Sequence, residues 1–465
     1  MNLLLTHAYF LSEDMKEQKI MRPYPPLGIL YISAWLEQKN ISHHVFDTTF
    51  SNKKEFQDYI LLHKPRMIGL YANLMTKLNV IETIRFLKQH LPQTTIVLGG
   101  PEVRYSVENF LQHGADYIVI GEGEEGMAEL CSLSNESLKA READTIAGIA
   151  FEKADKVTIT KEREKIKDLD DLPSPNRKAI KLELYLETWK KHHGNSTISV
   201  STMRGCPYTC KWCSRGVYGL SYRRRSPEKV VAELIEIKRN YNPDSLWFVD
   251  DVFTISHKWL TGFRDELKAK NIRIPYECIT RADRMNEEVI EMLKETGCFR
   301  VWIGAESGSQ KVIDLMDRRV DVNQVREMIR LTKSHGIEAG TFIMLGYPGE
   351  TEADIKETIH HLKESDPNFF TITLAYPIRG TELYQEVETL QIDPPVWSKG
   401  TDRQIDFQRT YSRKYYDHAM RWVINEVGFH QKKGFQKLPL KAKSLASFML
   451  MQFYKKNKSG LRHEN

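Results

Sequence analysis

Cys206, Cys210 and Cys213 share one short run, Gly205-Cys206-Pro207-Tyr208-Thr209-Cys210-Lys211-Trp212-Cys213, while Cys131, Cys278 and Cys298 lie far from it. Thiolates at this spacing can grip three corners of an iron–sulfur cube. Such clusters normally take four cysteines, so one iron would be left open for a substrate or cofactor. Zinc is the alternative, but a structural zinc site needs four closed ligands, and the nearest histidines, His192 and His193, precede the loop's strand. Buried cysteines with no metal are a further alternative. Six cysteines in 465 residues are too sparse for a disulfide framework and suit a reducing compartment, so a cytoplasmic protein is expected.

A reactive loop needs rigid elements behind it. Residues 197–201 form an apolar strand directly ahead of the cysteines, and strands follow at 245–249, 275–280, 300–305, 340–345 and 369–374, separated by helical periods. Strands that each lead into a helix predict a barrel or partial barrel whose reactive face is the carboxyl end of its strands. The cysteine loop occupies that end.

Ahead of this series the same alternation runs through 3–5, 27–36, 44–46, 67–71, the helical period Val80/Ile84/Leu87/Leu91, 95–98 and 117–120. Strands end at Gly99-Gly100-Pro101 and at Gly121-Glu122-Gly123-Glu124, where doubly wound sheets bind ligands. Neither is the GxGxxG fingerprint, which leaves a nicotinamide or flavin reading with little support. The predicted organisation is a Rossmann-like domain over 1–135, a charged, turn-rich connector over 136–191, the barrel over 192–400 and a helical C-terminal region over 401–465.

With 41% hydrophobic and 28% charged residues the composition is that of a globular protein, and a net charge of +5 gives no argument for nucleic-acid binding. No window is long and apolar enough for a transmembrane helix. Between 431 and 465 stand nine Lys/Arg against one Glu, with Leu445, Phe448, Met449, Leu450, Met451 and Phe453 among them. Such a helix can lie on an anionic membrane. The preferred reading is a terminal helix that packs its apolar face on the barrel.

The cysteine run, with Trp212 just before its last cysteine, resembles the signature of the radical S-adenosylmethionine (SAM) enzymes. The resemblance implies a [4Fe-4S] cluster held by Cys206, Cys210 and Cys213, whose open iron chelates SAM and whose electron yields a 5′-deoxyadenosyl radical. It also implies a reducing partner such as flavodoxin or ferredoxin. Asp250, in Asp250-Asp251 at the second strand's end, resembles the segment that meets the methionine amino group. Arg281 resembles a residue that meets the carboxylate or ribose of SAM, with an ordinary surface arginine as the alternative. Glu306 and Ser307 resemble a ribose- and amino-binding segment. Gly346-Tyr347-Pro348-Gly349-Glu350-Thr351 resembles a loop near the adenine, or is a turn capping the next helix.

Residues 1–135 resemble the cobalamin-binding domain that precedes many such barrels, through Tyr24-Pro25-Pro26-Leu27-Gly28, Val45-Phe46-Asp47, Leu98-Gly99-Gly100-Pro101-Glu102 and Gly121-Glu122-Gly123-Glu124. Thr76, Gly99, Gly100 and Glu122 are the candidate corrinoid pocket. The DxHxxG element is absent, since Asp47 is followed by Thr48 and Thr49, which implies cobalamin bound without a protein histidine. The expected activity is modification of an unactivated carbon of a small molecule, by methyl transfer or by oxidative cyclisation of the magnesium-protoporphyrin monomethyl ester cyclase type. Methylthiolation of RNA or protein is a weaker alternative, because methylthiotransferases carry three more N-terminal cysteines. A non-catalytic carrier would have lost cysteines or Glu306.

Overall fold

The computed structural model describes residues 1–456, so the last nine residues of the predicted helical C-terminal region lie outside it. The chain divides into two compact units, Met1–Pro207 with Ser214–Trp247 and Pro395–Asp402, and Tyr208–Cys213 with Phe248–Pro394 and Arg403–Asn465.

The first unit holds strands β1 (Leu3–Thr6), β2 (His44–Val45), β3 (Met67–Tyr71), β4 (Thr95–Gly99), β5 (Tyr117–Val119), β6 (Ile149–Lys153) and β7 (Lys156–Ile159) in the order β2-β1-β3-β4-β5-β6-β7. β1 to β5 are parallel, and β6 and β7 extend the edge as an antiparallel hairpin. That hairpin comes from the segment read as a connector.

Alternation along each strand explains why both faces are covered. Leu4, Ile68, Leu70, Ile96, Leu98 and Ile118 enter one core with helices Lys53–His63 and Lys77–His90, while Leu3, Leu5, Met67, Val97, Tyr117 and Val119 enter another with helices Leu27–Gln38 and Gly123–Ser132. Successive side chains of a strand point to opposite faces, so a continuous apolar run builds two cores. The order of the first five strands places the topological switch between β1 and β3, where ligands of such sheets bind. The chain continues through the edge strand β8 (Thr197–Val200) and the short hairpin of β9 (Met203–Arg204) and β10 (Arg223–Arg224), then helix Pro227–Asn240 and β11 (Ser245–Phe248), which neighbours β8.

The second unit carries β12 (Tyr276–Thr280), β13 (Cys298–Glu306), β14 (Glu338–Leu345) and β15 (Phe369–Leu374), each parallel to the next. Helices Glu287–Glu295, Val322–Ser334 and Glu352–Ser365 separate them, capped by Asn286, by Asp321 and by a Thr351/Asp354 capping box. All the strand–helix alternation read from the sequence is present in chain order. Val301, Ile303 and Ala305 of β13 are buried, whereas Arg300 and Trp302 on the opposite face both bond Glu277 of β12.

The helical region consists of Arg413–Gln431 and Lys437–Lys456. The second helix meets the first through Ser444, whose hydroxyl bonds Glu426, and through the buried Ser447 and Met451. Phe448 and Tyr454 pack on Trp422 and His418 of the first helix, while Leu438, Leu445, Met449 and Phe453 are exposed, so the helix packs only part of its apolar residues.

Candidate active site

In the second unit the stretch Tyr208–Cys213 of the cysteine loop is seated on the segment after helix Gln310–Leu315. Lys211 N donates to Met316 O (3.2 Å), Thr209 Oγ1 to Asp317 Oδ2 (2.6 Å), and Arg318 Nη1 to Cys210 Sγ (3.6 Å). Cys213 N closes a turn onto Cys210 O at 3.2 Å. Asp317 and Arg319 have φ of 47° and 54°, in the left-handed region that costs non-glycine residues. This backbone turns Arg318 inward while Asp317 and Arg319 pair at the surface.

Arg318 is buried and donates to Gly304 O at 3.0 Å, with Glu306 at 3.8 Å and the Trp212 ring 5.8 Å away. A Cβ at Gly304 would push the Arg318 guanidinium out of this position. Glu306 stands at a register shift of β13 against β14 with φ of 67°. Burial raises its carboxyl pKa, against the opposing pull of Arg318 and Arg281.

Arg281 lies fully buried at the end of β12. Its Nε donates to Asp283 (2.8 Å), its Nη2 to Arg318 O (2.9 Å) and Arg319 O (3.3 Å), and its Nη1 to Cys210 Sγ (3.8 Å), with the Tyr208 ring stacked 3.7 Å below. Its donors therefore serve the cysteine loop and the 318–319 backbone. Two buried guanidinium groups thus direct donors at one sulfur.

Trp212 packs against Val312, Met316 and Tyr347, which anchors the loop's end. Ser307 bonds Thr358 (3.3 Å) and Ser309 N (3.2 Å), so its hydroxyl shapes the turn after β13. Asp250 is buried just past β11. The 346–351 loop makes a turn from Glu350 N to Tyr347 O and caps the helix after it. Cys210, Trp212, Arg281 and Glu306 thus meet around Arg318, a residue no spacing in the sequence marks. Among the described residues no three His, Cys, Asp or Glu side chains converge as on a single ion; three thiolates on a cube would each meet a different iron.

The first unit holds an apolar cavity of about 220 Å³ at the carboxyl ends of its strands, lined by Gly28, Gly69, Tyr71, Gly99, Gly100, Gly121, Glu122, Arg204 and Tyr218 among others. The glycines leave room for it. At Gly100, with φ of 107°, a Cβ would overlap the Ala72 carbonyl. Glu122 accepts from Arg204 (2.7 Å), Arg223 (2.7 Å) and Ile166 N (2.9 Å), and Arg204 also pairs with Glu124. Burial works against the charge of Glu122, yet the arginines hold its carboxyl below the ordinary range.

Tyr31 and Tyr218 flank the Arg204 guanidinium, each ring 5.3 Å away. Arg204 and Glu124 were missed from the sequence; their signal was adjacency to Cys206 and to Glu122. Thr76 lies outside the lining: its hydroxyl bonds Tyr71 O (3.2 Å) and accepts from Asn73 N (3.0 Å), which shapes the turn after β3. No histidine lines the cavity among the described residues.

Residues 200–362 match the Radical SAM superfamily, and residues 19–131 match the B12 binding domain. The chain is 28% identical over 369 residues to an uncharacterized methyltransferase of Pyrococcus horikoshii, covering 78% of each chain. It is 24% identical over 396 residues to the anaerobic magnesium-protoporphyrin IX monomethyl ester cyclase of Rubrivivax gelatinosus, covering 83% of this chain and 70% of the relative. The solved structure of the cobalamin-dependent S-adenosylmethionine radical enzyme OxsB with aqua-cobalamin bound has the same fold, with a TM-score of 0.74 at 17% identity over 97% of this chain and 72% of that one. No helix among the described residues is long and apolar enough to cross a membrane.

Proposed function

Since the chain belongs to the radical SAM enzymes that carry a B12-binding domain, whose cofactors are a [4Fe-4S] cluster, SAM and cobalamin, we propose that it methylates an unactivated carbon of a small-molecule substrate. Cys210, placed between the Arg281 and Arg318 guanidiniums, is the observation that carries the reading. Cys206, Cys210 and Cys213 would hold the cluster. When bound, the cluster supplies the electron that cleaves SAM, and the corrinoid supplies the methyl group.

The chain's own residues position and insulate. Arg318 and Arg281 aim donors at the Cys210 sulfur in a setting screened from water. Trp212 fixes the loop against the apolar cluster. Glu306, turned toward the same centre by its left-handed backbone, offers a carboxylate to an ammonium or a hydroxyl pair of SAM, and Asp250 offers another at the second strand's end. The glycine-lined cavity has the apolar lining to take one arm of a corrinoid, with Gly99, Gly100 and Glu122 at its edge.

Methyl transfer is favoured over cyclisation by the greater identity to the methyltransferase relative, 28% against 24%. The test is anaerobic purification with cobalamin supplied, quantitation of iron, sulfide and corrinoid, and assay of SAM products, with Cys210→Ala as the blank. Formation of both 5′-deoxyadenosine and S-adenosylhomocysteine supports methyl transfer. With substrate present, 5′-deoxyadenosine alone moves the reading to the cyclase type, and neither product from a cluster-loaded protein rejects it.

A further inference from the structure

Helix Lys437–Lys456 packs one apolar side inward and carries a second apolar stripe on its outer side. Phe448 and Tyr454 pack on Trp422 and His418 of helix Arg413–Gln431, Ser444 bonds its Glu426 and Met451 is buried, whereas Leu438, Leu445, Met449 and Phe453 each leave about half or more of their surface in solvent. Their spacing of seven, four and four puts them in one stripe along the outer side. Phe435, 90% exposed, stands at the turn that opens the helix and extends the stripe. Contiguous apolar patches of this kind mark a surface that is covered in use.

Charge identifies the cover. Between 432 and 456 the chain has seven lysines and no acidic residue. Lys441 and Lys455 pair with Glu426 and Glu352, while Lys432, Lys433 and Lys443 are exposed beside the stripe. A second copy of this chain, joined about a two-fold axis, would set this face against itself and bring lysine against lysine. An anionic bilayer surface meets both features at once, with apolar side chains in the headgroup and acyl boundary and lysines among the phosphates.

We propose that helix Lys437–Lys456, with Phe435, is a peripheral docking surface for an anionic lipid membrane. The proposal is independent of the chemistry assigned to the cysteine loop. The full chain, purified anaerobically, should float with phosphatidylcholine vesicles that contain phosphatidylglycerol and stay in solution with phosphatidylcholine alone, and added salt should release it.

The variant L445E/M449E should lose at least about tenfold in vesicle binding, and K432Q/K433Q/K443Q should lose about fivefold per lysine. Both should keep the wild-type melting curve and SAM cleavage, because the substitutions lie on exposed positions away from the active site. Wild-type protein that ignores both vesicle types overturns the proposal. So does vesicle binding that L445E/M449E leaves unchanged. A dimer seen by light scattering and abolished by L445E/M449E, without vesicle binding, assigns the face to a second copy and also overturns it.

Discussion

Arg318 Nη1 donates to Cys210 Sγ at 3.6 Å, from a backbone held in place by positive φ on both sides of it, and Arg281 reaches the same sulfur at 3.8 Å while gripping the Arg318 carbonyl at 2.9 Å. The two guanidiniums are therefore linked, and losing one loosens the other. Charge and hydrogen bonds at a cluster's sulfurs set its potential, so Arg318→Met should shift a reconstituted cluster to a more negative midpoint potential. Partners of this kind cost on the order of 10- to 100-fold in activity when removed. Arg318→Lys keeps the charge and should recover part of the shift. An electron paramagnetic resonance titration of the three proteins checks the order. Equal potentials for wild type and Arg318→Met would refute a tuning role.

Gly100 gives a second prediction. Its φ of 107° and the Ala72 carbonyl behind it leave no room for a side chain. Gly100→Ala should destabilise the first unit by roughly 1–3 kcal/mol for the backbone strain, with the overlap adding to it. Cobalamin retention should fall with it, because Gly100 lines the cavity. Urea unfolding and corrinoid quantitation on one preparation read both. Gly336→Ala, with φ of 76° but nothing within 4 Å of the added atom, separates strain from overlap and should cost less.

Much of this was legible in the residues. Apolar runs ending at Gly99-Gly100 and Gly121 announce a buried parallel sheet, because only strands covered on both faces dispense with polar alternation. The cysteine spacing announces a metal loop for a similarly local reason. What stayed hidden was set by non-local contact. Arg318 sits between helices Gln310–Leu315 and Val322–Ser334 in a stretch that reads as a surface turn, and only the fold reveals that Asp317 and Arg319 remain outside while it turns in. Arg281 drew attention as a cofactor contact, yet its donors are taken by Asp283, Cys210 and the 318–319 backbone. Helix Lys437–Lys456 packs Phe448, Met451 and Tyr454 inward, yet its apolar residues run round more than one side, and hydrophobic periodicity does not tell which of them meet a neighbour.

Glu350 supplies a pH prediction. It is wholly buried behind β14, its Oε2 accepts from Gly346 N at 2.6 Å, and its Oε1 has no hydrogen-bond partner. Burial pushes its pKa up to about 8, which the Gly346 bond only partly offsets. The folded state therefore holds a proton that the unfolded chain releases near pH 4.5, the ordinary value. Stability should fall as pH rises between these values, by up to about 1.4 kcal/mol per unit, and level off above the folded pKa. Glu350→Gln mimics the protonated form and should flatten that slope, so that the variant equals wild type near pH 4 and exceeds it at pH 8. Chemical unfolding across that range decides it. A wild-type slope that survives in Glu350→Gln would place the titration elsewhere.

The Arg204 cluster predicts an asymmetry between its members. Glu122 and Glu124 both depend on Arg204, while Glu122 alone has Arg223 as a second guanidinium. Arg204→Met leaves Glu124 buried without its partner, and breaking a buried pair from one side costs about 3–5 kcal/mol. Glu124→Gln removes a charge yet leaves Arg204 bonded to Glu122, so it should cost less than half as much. Arg204 also lines the cavity and stands two residues before Cys206, which ties the pocket wall to the start of the cysteine loop through the backbone itself. Arg204→Met should therefore lower both corrinoid retention and iron content, whereas Glu124→Gln should spare the iron. Paired metal and corrinoid analysis of the two variants tests the link, and iron content unchanged in Arg204→Met would show that the pocket wall and the loop are set independently.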